Sequence, residues 1–254
     1  MWAKDRKHRI ISLLAVNEHL SIERMVDALK VSRESIRRDI IELEADGKLQ
    51  RVHGGVTRVP AEAEPPFKAR LHANAEAKRR ISVTAARLLE PGMICAIDAG
   101  STTTAFAAAL MTVPGISVVT NSIDVAATIR AGQSDADVIL LGGVIGRDVP
   151  GTYGELTLSE MRRFTCDITF FSPVSLSAEK GATNYHLTEA ELARAMIESS
   201  QKVVVLADSS KLGTTSRVQV CGCEQIDLLV TDPQATDAQL DALRGAGLAE
   251  VLMG

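Results

Sequence analysis

Ser32-Arg-Glu-Ser-Ile-Arg-Arg-Asp-Ile-Ile-Glu-Leu-Glu-Ala-Asp-Gly47 reads as one short helix with a signal at each end. The Ser32 hydroxyl can satisfy a free backbone N–H of the first turn. Gly47 tolerates the left-handed conformation that often closes a helix. Ile36, Ile40 and Leu43 recur at i, i+4 and i+7 and form a single apolar stripe. At about 100° per residue, Arg37 lies roughly 100° from Ile36 and Arg38 about 160° from it, so both turn away from the buried side. Arg33, Glu34 and Ser35 occupy the exposed first turn. Arginine can pair bidentately with guanine and glutamate can accept from cytosine, so this is a helix suited to a DNA major groove. The bland alternative is a solvated arginine pair, and the flanking sequence decides between them.

Upstream, Ile10, Leu13, Leu14 and Asn17 share a face of a first helix opening near Asp5. Ser21 can cap a second helix in which Met25, Val26 and Leu29 are spaced for burial, and Lys30-Val-Ser32 is the tight turn into the third. That is a helix-turn-helix with its last helix as the reader. Downstream, Lys48–Val52 and Val56–Val59 are short strands around the turn His53-Gly54-Gly55. They form a wing that brings Lys48, Arg51, His53 and Arg58 near backbone phosphates. Residues 1–59 are therefore expected to be a winged helix-turn-helix domain binding double-stranded operator DNA.

The chain has 254 residues, 46% of them hydrophobic and 24% charged, as in ordinary globular proteins. No apolar run approaches the ~18 residues of a membrane helix, and the start Met-Trp-Ala-Lys-Asp-Arg-Lys lacks a signal-peptide core. The expectation is a cytoplasmic protein with no membrane partner. The net charge of −4 divides unevenly: residues 1–59 hold 12 Lys+Arg against 9 Asp+Glu, the rest 16 against 23. A mildly basic head on an acidic body suits a DNA-reading module joined to a domain with another task. Cys221-Gly-Cys223 is too close-set for a zinc knuckle, and Cys95 and Cys166 sit in apolar runs. Reduced structural cysteines, with no metal and no cofactor, are expected.

Residues 60–74 read as a linker, because Pro65 and Pro66 oppose a continuous helix. From residue 75 to 254 helices alternate with short apolar strands. Helical patterns begin at Ala75 (Ile81, Ala85, Leu88 and Leu89 on one face) and span Thr102–Leu110, Ile123–Ala131, Glu155–Phe164, Thr188–Ser200 and Thr236–Leu243. Strand patterns span Met93–Asp98, Ile116–Thr120, Asp137–Leu141, Asp167–Phe171, Lys202–Ala207, Ile226–Val230 and Ala249–Leu252. Such alternation predicts an α/β domain with a mainly parallel sheet covered on both faces.

Ligands of such sheets sit at the carboxyl ends of the strands, and these ends are small and polar. The first runs into Asp98-Ala-Gly100-Ser101-Thr102-Thr103, where a glycine and clustered hydroxyls open a helix suited to an anion. Others end in Asn121-Ser122, in Gly142-Gly143 and in Asp208-Ser-Ser-Lys211. Asp98 and Asn121 can bond sugar hydroxyls, and Lys211 supplies charge for a phosphate.

These phrases resemble the DeoR family of bacterial repressors. In the head the resemblance is carried by His8-Arg9-Ile10-Ile11, Val31-Ser32, Ile36-Arg37-Arg38-Asp39 and Arg51-Val-His-Gly-Gly55. In the linker it is carried by Pro66-Phe67, Arg70, Asn74 and Ala77-Lys78-Arg79. In the body the carriers are Asp98–Thr103, Thr120-Asn-Ser122, Leu141-Gly-Gly143 and Ala207-Asp-Ser-Ser-Lys211. The resemblance implies a body folded like ribose-5-phosphate isomerase and the CoA-transferases. It also implies an effector that is a phosphorylated sugar or related metabolite and alters the hold on an operator. Two segments depart from the family pattern at positions expected to line the pocket, Ser172-Pro-Val-Ser175 and Ala193.

One reading helix spans few base pairs, so a homo-oligomer (dimer or tetramer) is expected. A ligand can change DNA affinity only by preferring one arrangement of the heads, and the proline linker is the expected place of that change. Two other readings remain. One is a metabolic enzyme using carboxylates such as Asp98, Glu155, Glu179 or Asp208, with Tyr185 and His186 in a Gly181–Leu187 loop over the pocket. The other is an architectural DNA binder. No Ser-His-Asp, Walker or Rossmann pattern supports catalysis, and the expectation is a regulator rather than an enzyme.

Overall fold

The computed structural model describes residues 3–15, 17, 19–45, 49–52, 54–57, 64–132 and 135–254. It divides into two compact units, Met1–Glu64 and Pro65–Gly254.

The first unit runs α1 (Ala3–Ala15), β1 (His19–Ser21), α2 (Ile22–Leu29), α3 (Arg33–Ala45), β2 (Gln50–Val52) and β3 (Gly55–Thr57). Ile10, Leu14, Leu20, Met25, Ile36, Ile40, Leu43 and Val56 form its core, which accounts for the apolar spacing of all three helices. Asn17 lies beyond α1, and its amide donates to the Leu13 carbonyl at 2.8 Å. Ser21 caps α2 by accepting the Arg24 N–H at 3.2 Å, and Ser32 does the same for the Ser35 N–H at 3.2 Å. Lys30, at φ +54°, makes the turn between α2 and α3. The helix stop expected at Gly47 lies outside the described residues.

The wing gains a strand that the sequence reading lacks. β1 pairs antiparallel with β3, which also pairs with β2. Leu20 opposes Val56 in this ladder, and both are wholly buried. A Cβ on Gly55 would stand 2.3 Å from the Leu20 carbonyl oxygen, so the close approach of β1 and β3 requires glycine there. Three residues are too few to show a strand period in sequence.

The second unit opens with α4 (Phe67–His72) and α5 (Ala75–Ala86). Residues 65–74, expected to end the linker, therefore belong to this unit. Pro66 immediately precedes α4, where its missing N–H costs nothing. Phe67 is buried, and its own N–H donates to Asp148 at 3.0 Å.

There follow β4 (Ile94–Ile97), α6 (Ser101–Leu110), β5 (Ser117–Thr120), α7 (Ile123–Ala131) and β6 (Asp137–Leu140). Next come the hairpin strands β7 (Val144–Ile145) and β8 (Thr152–Tyr153), then α8 (Glu155–Met161) and β9 (Cys166–Phe171). The chain ends with β10 (Ser175–Ser177), β11 (Gly181–Asn184), α9 (Leu187–Glu198), β12 (Ser200–Leu206), β13 (Val218–Cys221), β14 (Leu228–Thr231), α10 (Asp237–Gly245) and β15 (Glu250–Met253).

Seven strands form one parallel sheet in the order β15-β14-β12-β9-β4-β5-β6. Ile81 of α5, Phe106 of α6 and Val125 of α7 pack with Ile97, Phe170, Leu206 and Val230 on one face. Met161, Leu192 and Met196 meet Ala96 and Val119 on the other. Ala190, Leu240 and Leu243 cover Phe171, Val205 and Leu229 there.

The antiparallel sheet β10-β11-β13 is a correction to the sequence reading, which places a loop at Gly181–Leu187. Gly181–Asn184 is a wholly buried strand instead. Gly-Ala-Thr-Asn carries no apolar alternation, and its pairing with β10 and β13 comes from distant segments.

Candidate functional sites

On the head, Arg37 and Arg38 are exposed while Ile36 and Ile40 beside them are buried, as the helical spacing requires. The next residue, Asp39, turns inward and is bonded bidentately by Arg6 of α1, one bond being Nη2 to Oδ1 at 3.0 Å. This half-buried pair and the buried Ile36, Ile40 and Leu43 hold one side of α3 inward, which leaves the two arginines on the outer side. Glu34 is exposed, and Ser35 shares a 3.0 Å hydrogen bond with Ser32.

Arg33 meets Glu23 at 3.2 Å with both side chains more than half exposed, a pairing that DNA can displace at little cost. Arg51 is engaged by Glu44, whose carboxylate also accepts the Arg51 N–H at 3.1 Å and is held below its usual pKa by it. A phosphate at Arg51 must compete with Glu44. Lys48, His53 and Arg58 lie outside the described residues.

In the body, chain order leaves the sheet in opposite directions from β4: β5 and β6 on one side, β9, β12, β14 and β15 on the other. The crevice outside the ends of β4 and β9 is thus a topological switch point, where ligands of open α/β sheets bind. Asp98 ends β4, and its Oδ2 accepts the Ser172 N–H, at the end of β9, at 3.4 Å. Lys211 donates to Ser172 Oγ at 2.8 Å and to the Pro173 carbonyl at 2.7 Å. Ser101, at the first turn of α6, accepts from Lys78 of α5 at 3.1 Å. Gly100 precedes that turn, and a Cβ there would stand 3.2 Å from Thr103 Oγ1 and 3.9 Å from Ser172 Cβ.

Burial shapes the charges. The Asp98 carboxyl is pushed up to about 7, because desolvation outweighs the Ser172 N–H and the nearby Lys211 charge. The Lys78 ammonium is lowered to about 8 by burial, with Lys211 adding repulsion. Two cations therefore converge on one small crevice. Asp98 Oδ1, Thr102 Oγ1, Asn121 Oδ1 and the Tyr153 hydroxyl are buried there and on the adjoining strand ends, without a hydrogen-bond partner among the described residues. Orphaned buried polar atoms carry a desolvation cost that a bound polar molecule or water would relieve.

Not every sequence-chosen residue has a free group. Thr103 donates to the Gly100 carbonyl at 3.0 Å, and Ser122 caps α7 by accepting the Val125 N–H at 3.1 Å. Asp208 accepts from Asn74 at 2.9 Å and from Ser210, as the cap of a short 3-10 turn. Gly142 and Gly143 pack against α8: the Gly142 N–H donates to Glu160 at 2.6 Å, and Thr157 donates to the Gly142 carbonyl at 2.7 Å. A Cβ on Gly143 would stand 2.1 Å from Thr157 Oγ1, which accounts for that glycine without a ligand. Ala193, expected at the pocket, is in the apolar cluster with Phe171, Leu176 and Ala182. An open cavity of about 360 Å³ lies beside the crevice, bordered by Asn74, Glu76, Arg80, Asp208 and Asp232.

Sequence reasoning misses Lys78 as a site residue. Its signal is present, since Lys78 falls on the buried stripe of α5 with Ile81, Ser82 and Ala85. Ser172 stands out in sequence only as a departure, and Tyr153 not at all. The four cysteines are buried thiols, with Cys95 and Cys221 pushed up to about 12 and Cys166 to about 11 by desolvation. Among the described residues, no helix is long and apolar enough to cross a membrane.

Comparison with known proteins adds to this geometry. Residues 6–61 match a model of the DeoR-like helix-turn-helix domain, and residues 73–233 one of the DeoR C terminal sensor domain. The HTH-type transcriptional regulator GlpR of Haloferax volcanii is 34% identical over 99% of this chain and 98% of its own. The HTH-type transcriptional repressor GlcR of Bacillus subtilis is 30% identical over 98% and 95%. The glycerol-3-phosphate regulon repressor of Escherichia coli is 30% identical over 91% and 92%. Ribose 5-phosphate isomerase A of Methanocaldococcus jannaschii overlays 55% of each chain at 16% identity and a TM-score of 0.40, too partial a likeness to carry function.

Proposed function

This chain belongs to the DeoR family of transcriptional regulators, with a DNA-binding head and a sensor body, and on that premise we propose that it represses a carbohydrate-catabolism operon under control of a phosphorylated sugar or related metabolite. The observation that carries the effector is the switch-point crevice. There Lys78, Lys211 and the first turn of α6 supply positive potential for a phosphate. Asp98 and the unpartnered oxygen of Asn121 offer acceptors to hydroxyls. Relatives named for a glycerol-3-phosphate regulon agree with an effector of this chemistry.

Arg37, Arg38, Arg33, Glu34 and Ser35 face base edges in this reading, and Lys48, Arg51, His53 and Arg58 the phosphates. The control acts through the segment leading from the head. Lys78 donates to the Arg70 carbonyl of α4 as well as to Ser101, and Asn74 binds Asp208. A phosphate drawing on Lys78 therefore acts on α4. Two heads on repeated half-sites require a homo-oligomer, dimer or tetramer.

The test is a thermal-shift screen of the full chain against phosphorylated sugars and sugar acids. A ligand at about 100 times its Kd adds roughly 2.7 kcal/mol of stability. The expected hit disappears on Lys211→Ala and changes operator affinity. A panel with no stabilising member, or a hit that leaves operator affinity unchanged, overturns the reading.

A further inference from the structure

The edge of the parallel sheet at β6 is bare. The inner side of β6 pairs with β5, and among the described residues no strand covers the outer side. Exposed sheet edges invite pairing with another chain, and proteins usually blunt them with lysine, proline or a bulge. Asp137-Val-Ile-Leu140 carries no such device apart from its first residue.

The surface around this edge is apolar. Ile139 is 40% exposed, Leu140 46%, Val144 75%, Ile145 65% and Leu156 58%. Ile139 and Leu140 border one groove with α8, Leu156 lies 3.4 Å from where a Cβ of Gly142 would be, and Gly142-Gly143 leads straight into the hairpin strand that carries Val144 and Ile145. Five large apolar residues, each 40–75% exposed around one sheet edge, are the kind of surface that marks an interaction site. Between β6 and α8 runs a groove of about 420 Å³, lined by Ile139, Leu140, Leu141, Phe164, Glu160 and Arg163.

We infer that this edge is where a second copy of the chain docks, β6 against β6 about a two-fold axis. This rests on the oligomeric regulator proposed above and names the surface that assembles it. Antiparallel pairing of β6 with itself is isologous and closes, so it satisfies both bare edges at once. The charges of the groove fit the same operation. Glu160 sits at the Gly142 end, where its carboxylate accepts the Gly142 N–H, and Arg163 lies one turn further along the chain. A two-fold axis across β6 would exchange these ends and set the Glu160 end of each groove toward the Arg163 end of the other.

The experiment measures the mass of the full chain in solution for the parent and for two single variants. Ile139→Lys puts a charge on the edge strand, and Val144→Asp puts one on the hairpin, outside the large sheet. The expected result is an assembled parent and variants whose mass falls by half, with a melting temperature within a few degrees of the parent. The variants should retain weak binding to a DNA half-site. A parent that is monomeric at micromolar concentration overturns the inference together with the oligomeric reading. An assembled parent whose two variants both stay assembled overturns the surface alone.

Discussion

The ammonium of Lys78 donates to the Ser101 hydroxyl at 3.1 Å and to the Arg70 carbonyl, joining the first turn of α6 to α4 through one buried cation. Desolvation opposes that charge, and an anion in the crevice would support it. Replacing Lys78 by Met keeps the length of the side chain and removes the charge. The apo protein should melt at or above the parent temperature. Phosphorylated ligands should bind about 10- to 100-fold more weakly, the loss of one charge-assisted bond of about 1.5–3 kcal/mol. Titration calorimetry of the variant checks this, and unchanged affinity would remove Lys78 from the site.

The lowered Lys78 pKa has a sign that can be tested. The folded protein releases this proton near pH 8, whereas the unfolded chain holds it to about pH 10.4. Between those values the unfolded state binds more protons, so this group makes stability rise with pH across the window. Anion affinity should move the other way, falling above pH 8 as the charge is lost. Binding near pH 8.5 should therefore take up protons, measured as a dependence of the calorimetric heat on buffer ionisation. Lys78→Met should abolish that uptake.

Asp98 gives the opposite window. Its folded carboxyl ionises near 7 and its unfolded one near 4, so between these values the folded state binds more protons. Its contribution to stability is greatest below pH 4 and declines as pH rises to 7. Denaturant melts at pH 5 and pH 8 should differ less for Asp98→Asn than for the parent. Equal pH dependence in the two would mean that Asp98 stays ionised when folded.

Arg37 and Arg38 stand exposed on α3 with Ile36 and Ile40 buried behind them. Alanine at both should leave the melting temperature nearly unchanged and cost about 1–3 kcal/mol of operator discrimination for each base that an arginine reads. Arg51→Ala should weaken all DNA alike and flatten the salt dependence by about one charge. Titrations of specific and random duplexes at several salt concentrations separate the two classes. A double variant with unaltered specificity would place the reading elsewhere.

Asp39 is buried and bonded bidentately by the half-buried Arg6, and removing it takes both bonds from the guanidinium. Asp39→Ala should destabilise the head by about 1.5–3 kcal/mol, the loss of a charge-assisted hydrogen bond, while the sheet unit retains its melting transition. Calorimetry resolving two transitions reads this directly. A head as stable as the parent would show the pair to be dispensable.

The head is largely readable from sequence because its helices are amphipathic and capped by local residues. Ile36, Ile40 and Leu43 show their burial through spacing alone, and the bonds of Ser21 and Ser32 span only three residues. The long apolar strands of the body show for the same reason. β1, β10, β11 and β13 do not, since three or four residues are too few to establish a period and these strands gain their order from distant partners. Gly142-Gly143 shows the converse: a polar, glycine-rich strand end suggests a ligand in sequence, and in the fold Thr157 and Glu160 pack against it.

By itself the sequence determined the head-and-body division, the exposed face of α3 and the alternation that makes a parallel sheet, because each depends on residues within a few turns of one another. Only the tertiary structure decided which strand ends meet. Asp98 and Ser172 are 74 positions apart, and Lys78 and Ser101 are 23. Their convergence follows from the reversal of strand order at β4 and β9, a property of the whole sheet that no local pattern encodes.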